Sequence, residues 1–183
     1  MSRNHSKHSR VIGIAPSAKG FGYAVFEGKE TLVDWGISHV ERNKTVLSLR
    51  KVEKLILRYR PDVLAIQDYW AKDSRRAIRI QDLGTRLRAL AKNLDVRVIL
   101  ISRRKVDRVI VGHERATKYV LAQALAKLFP EELSSRLPPK RRPWTSEDNR
   151  MDIFDAVALA LVVVRNTPLG KPLFSVHNDS PRV

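Results

Sequence analysis

The chain has 183 residues, 43% hydrophobic and 30% charged, proportions that exclude a disordered chain and fit one globular domain. Lysine and arginine number 35 against 19 acids, a net charge of +16 that points to a polyanionic partner, nucleic acid ahead of an acidic membrane surface or an acidic protein. There is no cysteine, which excludes disulfides and cysteine zinc sites and leads us to expect a reducing compartment, the cytoplasm. No apolar run approaches the roughly 18 residues of a membrane span, and the basic N-terminus lacks the apolar core of a secretory signal.

Residues 1–10 read as a flexible basic arm ahead of one domain, 11–165, with a tail from 166 to 183. VIGIAPSAKGFGYAVF, Val11 to Phe26, reads as strand, turn and strand, with Val11–Ile14 and Phe21–Phe26 extended. No acid precedes Glu27. Gly13, Gly20 and Gly22 leave the backbone open to close approach, and a phosphate backbone is the expected visitor. Thr31–Val40 is a third strand, which makes an antiparallel meander. Asn43–Tyr59 changes period: Val46, Leu49, Val52, Leu55 and Ile56 mark an amphipathic helix, ended by Pro61.

Val63–Ile66 is wholly apolar, as in a strand buried on both faces. Ile80–Leu94 is a second helix, with Leu83, Leu87, Leu90, Ala91 and Leu94 on one side. Val96–Ile101 is another buried strand. Ser102 is suited to cap the segment after it, and Arg103, Arg104 and Lys105 cluster at the strand's end. Thr117–Phe129 is a helix expected to turn Val120, Leu121, Ala124, Leu125 and Leu128 inward. Residues 130–145 carry four prolines and the run PPKRRPW, an extended basic loop, and 147–165 form the last helix. The order β-β-β-α-β-α-β-α-α predicts an α/β fold with a mixed five-stranded sheet flanked by helices.

The last helix, SEDNRMDIFDAVALALVVV, carries the sharpest chemical signal. Ser146 is a candidate N-cap, and Glu147 and Asp148 suit a first turn. Asp152 and Asp155 are three apart, on one face of a helix otherwise apolar almost all round. Two neighbouring carboxylates there call for a cation: magnesium or manganese, or alternatively Arg142 and Arg150. Asp68 follows the strand Val63–Ile66 and is a third candidate ligand, or else a loop carboxylate paired with Lys72 or Arg75.

The stretch after it, with Tyr69, Trp70, Arg75, Arg76 and Arg79, combines aromatics and cations as a nucleic-acid surface does, although Tyr69 and Trp70 also suit the core. Arg104, Lys105 and Lys118 are further candidate phosphate contacts, Lys118 at a helix start. No P-loop, zinc spacing or hydrolase triad occurs.

Four of these segments resemble, in order, the RuvC-type Holliday-junction resolvases of the ribonuclease H-like superfamily. They are VIGIAPSAKGFGYAVFEG, PDVLAIQDYW, SRRKVDRVIVGHERATK and MDIFDAVALAL. The resemblance implies four carboxylates around two magnesium ions, phosphodiester hydrolysis on branched DNA, and a homodimer. Asp152 and Asp155 match the two closing acids, and Lys118 matches the later lysine of the third segment. Ala15 stands at the first aspartate and Gln67 at the glutamate, while Asp107 stands at the earlier lysine. Two of four acidic positions are therefore replaced. Asp68 can substitute only if the strand ends at Gln67, because neighbours in a strand face opposite ways.

Two functions are consistent with this: a divergent magnesium- or manganese-dependent endonuclease using Asp152, Asp155 and Asp68, or a nuclease fold that binds DNA or RNA without cutting. A sugar-kinase-like nucleotide binder also opens on a glycine-rich hairpin, but it needs a second domain for which there are too few residues.

Overall fold

The computed structural model describes residues 9–29, 31–70 and 78–166. The arm 1–8, the tail from 167 onward, and Lys72, Arg75 and Arg76 lie outside the described residues. Strands β1 (Arg10–Ser17), β2 (Gly20–Glu27), β3 (Thr31–His39), β4 (Val63–Gln67) and β5 (Arg97–Ile101) form one mixed sheet in the order β3-β2-β1-β4-β5. β1, β2 and β3 pair antiparallel, while β1, β4 and β5 run parallel. The expected meander and parallel extension are both present.

The first hairpin is longer and tighter than the sequence indicates. Ser17 faces Gly20, so only Ala18 and Lys19 make the turn. Pro16 lies inside β1, beyond Ile14 where the pairing with β4 ends, so its missing N–H breaks no bond on that side. β4 is buried on both faces, as its apolar run implies. β5 corrects the expectation of a buried strand: it is the sheet edge, with Leu100 37% exposed.

Helices α1 (Lys44–Tyr59) and α2 (Ile78–Asn93) cover one face, against Ile12, Ile14, Val25, Leu64 and Ile66. On α1, Val52 and Ile56 are buried but Val46 is half exposed. The other face carries Val11, Ala15, Ala24, Phe26, Val63 and Ala65. It is covered by α3 (Arg103–Val111), α4 (Lys118–Leu128), the single turn α5 (Pro130–Leu133) and α6 (Met151–Asn166).

α3 is an addition to the expected order, because its three leading cations obscure the apolar spacing. Its cap is legible: the Ser102 hydroxyl accepts from the Lys105 N–H at 3.3 Å. α4 has its N-cap at Thr117, whose hydroxyl accepts from Val120 N–H at 3.2 Å. Its inward face is Leu121, Ala122, Leu125 and Ala126, which corrects the reading of Val120 and Leu128 as core, since both are exposed. α6 begins at Met151 rather than 147. Ser146 is therefore not its cap, and Glu147 and Asp148 precede the helix, where an Asp148 oxygen accepts from Arg150 N–H at 2.9 Å.

α6 is buried along nearly its whole length, as its composition implies. Glycines decide how closely it lies. A Cβ at Gly13 would stand 2.2 Å from the Ala156 carbonyl oxygen, and one at Gly22 would stand 2.0 Å from that of Asp152. The visitor to these two glycines is thus the protein's own helix, not a phosphate backbone. At Gly20 a Cβ would meet the Ser38 carbonyl of β3, again the protein's own chain.

A Gly22→Ala substitution forces α6 from the sheet and is expected to cost about 3 kcal/mol. Urea denaturation with an unshifted midpoint would contradict this packing.

Candidate functional site

Parallel strands end where sites form in α/β sheets. Here β1, β4 and β5 end together, and the first residues of α3 and α4 meet the first turns of α6 above them. Strand alternation places Ala15 and Gln67 on the α6 face, in phase with Val11 and with Val63 and Ala65. β4 ends at Gln67, so strand alternation does not fix the direction of Asp68. Its N–H donates to the Ile101 carbonyl at 2.9 Å, and its Oδ1 accepts from Trp70 N–H at 3.1 Å. This carboxylate closes the QDYW turn, an Asx-type role.

Asp155 sits between two cations. Its Oδ1 lies 3.3 Å from an Arg103 guanidinium nitrogen and its Oδ2 lies 2.9 Å from Lys118 Nζ. Lys118 also reaches Glu147 at 2.7 Å. Burial works against the charge on Lys118, but Asp155 and Glu147 outweigh it and raise the ammonium above its ordinary value. Arg103 has a second carboxylate, Asp107, at 2.9 Å, and a longer contact of 3.4 Å to the Ala116 carbonyl. Asp107 is 2% exposed, and burial raises its carboxyl while Arg103 opposes the shift.

Asp152, one turn before Asp155, has a different environment. Burial is the chief cause that pushes its carboxyl up to about 6; a hydrogen bond with the Ser17 side chain opposes this, and the negative charge of Asp155 adds to it. Arg150 pairs with Asp148 at 2.7 Å, not with Asp152 or Asp155. The partners actually used, Arg103 and Lys118, come from other helices. Arg103 has one local signal, its i,i+4 spacing to Asp107, which becomes readable only once 103–111 is taken as helix.

The remaining candidates have separate surroundings. Arg79 donates to the carbonyls of Ser17 and Ala18, both at 3.1 Å, and so holds the β1–β2 turn. Arg104 and Lys105 lie exposed on α3. Tyr69 is core, its ring against Gly84 of α2. Trp70 is 42% exposed, with the Arg88 guanidinium 5.2 Å from its ring centre. Among the described residues no helix is long and apolar enough to cross a membrane.

The fold is that of the RuvC-type Holliday-junction resolvases. Thermus thermophilus RuvC is 19% identical, with a TM-score of 0.61 over 84% of this chain and 92% of that one. The same organism's RuvC in complex with a Holliday junction substrate aligns at 0.63 and 20% identity, over 86% of this chain and 96% of that one. The yeast mitochondrial Holliday junction resolvase Ydc2 aligns at 0.55 and 13% identity, over 86% and 80%. No protein-family model matches the sequence, and no curated protein does.

The two-magnesium centre implied by the resemblance does not fit this donor set. Ala15 offers no oxygen, Gln67 offers a neutral amide, and both oxygens of Asp155 face protein cations. Among the described residues, no three His, Asp or Glu side chains converge as a metal ion requires.

The raised carboxyl of Asp152 has a stability consequence. Below about pH 4 it is protonated in both folded and unfolded chains and has no effect. As pH rises from about 4 to 6 the unfolded chain ionises first, and stability falls. Asp152→Asn is therefore expected to be more stable than the parent at pH 7, with the difference vanishing below about pH 4. Urea denaturation across that range checks the sign; a gap that widens toward acid pH would refute it.

Proposed function

We propose that this protein binds branched or duplex DNA through its RuvC-like fold, with phosphodiester hydrolysis lost or strongly reduced. One observation carries the reading. Of the two surviving acids, Asp155 is paired with both Lys118 and Arg103, and Ala15 stands where the resemblance expects an aspartate. The cations at the site thus come from the chain itself. The excess of positive charge remains for phosphates, and the fold is shared with a RuvC solved on a Holliday junction substrate. Arg104 and Lys105, exposed at the start of α3, belong to this surface; Arg75 and Arg76, outside the described residues, are included on their sequence alone. Two copies on one junction, as the resemblance implies, are part of the same reading.

The alternative is a divergent nuclease using Asp152, Asp155 and Asp68 with magnesium or manganese. Binding and cleavage separate the two. Affinity for a four-way junction and for duplex DNA is expected to fall about a thousandfold between about 50 and 200 mM salt, as some six phosphate contacts would give. Salt-independent affinity, or none, would sink the DNA reading. No cleavage is expected with either metal. Cleavage that Asp152→Asn abolishes would restore the nuclease reading and leave DNA binding intact.

The double substitution Ala15→Asp, Gln67→Glu is expected not to restore cutting, because Asp155 stays paired. Cleavage of junction DNA by that variant would show instead that Asp155 is readily released.

A further inference from the structure

An open cleft of about 1010 Å³ lies between the start of α4 and the loop that leads into α6. Five cations line it, Lys19, Lys118, Lys140, Arg141 and Arg142, against two carboxylates, Glu147 and Asp148. Both carboxylates already have an ion partner: Glu147 has Lys118 at 2.7 Å, shared with Asp155, and Asp148 has Arg150 at 2.7 Å. Among the described residues Lys19, Lys140, Arg141 and Arg142 have no ion pair. The lining of the cleft is therefore net positive.

Trp144 stands in this cleft, 78% exposed. It is held there by a turn. Thr145 N–H donates to the Arg142 carbonyl at 3.1 Å, and the Thr145 hydroxyl donates to the same oxygen at 3.0 Å. Arg141 Nε donates to the Thr145 carbonyl at 2.6 Å. Pro143 occupies the second position of this turn, where its fixed φ is favourable. A lone exposed tryptophan is ordinary, but a braced one among unpaired cations has the composition of a strand-binding groove: charge for phosphates, a ring for base stacking.

We propose that this cleft holds an unpaired segment of DNA, with phosphates against Lys19, Lys140, Arg141 and Arg142 and a base stacked on Trp144. The inference rests on the DNA-binding reading and specifies the form of DNA. A duplex conceals its base faces, so Trp144 distinguishes opened from closed strands, whereas the cations attract both. An acidic peptide would satisfy the cations and leave the ring unused.

The test compares an unpaired oligothymidine with a blunt duplex of equal length, by fluorescence anisotropy at fixed salt. Trp144→Ala is expected to weaken the unpaired strand about tenfold and change the duplex less than about twofold. Trp144→Phe, which keeps a ring, stays within about threefold of the parent. Arg141→Ala combined with Arg142→Ala weakens both DNAs and flattens the salt dependence. An unchanged melting temperature in each variant confirms that the fold is intact, as expected for exposed residues.

Equal affinity of parent and Trp144→Ala for the unpaired strand overturns the assignment. So does an equal loss on both DNAs, or displacement of the oligothymidine by polyglutamate of matched charge as readily as by itself. Those results leave the broader reading standing, which fails if the parent binds neither junction nor duplex, or binds them with no salt dependence.

Discussion

The arrangement depends on helix α6 resting directly on the backbone of the first hairpin. Gly13 and Gly22 allow it, because any side chain there would meet a carbonyl oxygen of the helix. With no side-chain layer between them, helix and sheet have little freedom to slide. The positions of Asp152 and Asp155 relative to Ala15 and Ser17 are set by that contact. The same contact accounts for the small residues Ala156 and Ala160 in an otherwise bulky apolar helix.

Electrostatics then separates two carboxylates that are nearly adjacent on one helix. Asp155 reaches outward to α3 and α4 and finds two cations. Asp152 points toward the hairpin, where burial dominates and Ser17 supplies the opposing hydrogen bond. A metal ion would have to displace protein cations at one acid and compete with protonation at the other. The cleft shares Lys118 with this centre, while its other four cations, Lys19, Lys140, Arg141 and Arg142, are available to ligands.

Much of the fold is legible in the sequence because hydrophobic period and turn chemistry agree along the chain. The β4 run, the α6 pattern and the cap at Ser102 all correspond to physical features of the structure. α3 is obscured by its leading cations. The inward face of α4 is ambiguous from period alone, because Val120 and Leu128 match the helical repeat as well as Leu121 and Leu125 do. The edge position of β5 depends on sheet order, which an apolar run does not encode. At the site, the residue types on α6 are readable, but their partners are not. Arg103 and Lys118 lie 52 and 37 positions from Asp155, and only the packing of α3 and α4 against α6 brings them there. The glycines mislead for a related reason: a bare backbone announces that something comes close, not what it is.

Arg103 serves two acids at once, and this has an evolutionary side. Asp107 is almost wholly buried, with Arg103 as its ion partner. Removing Arg103 to free Asp155 strands that charge, at a cost of about 3–5 kcal/mol, a large part of a typical domain's stability. A lineage in which Asp155 came to bind metal would have to alter both residues together or pass through a poorly folded intermediate. The shared guanidinium is in this sense a ratchet: drift can retune the surface cations one at a time, while the centre holds its present chemistry.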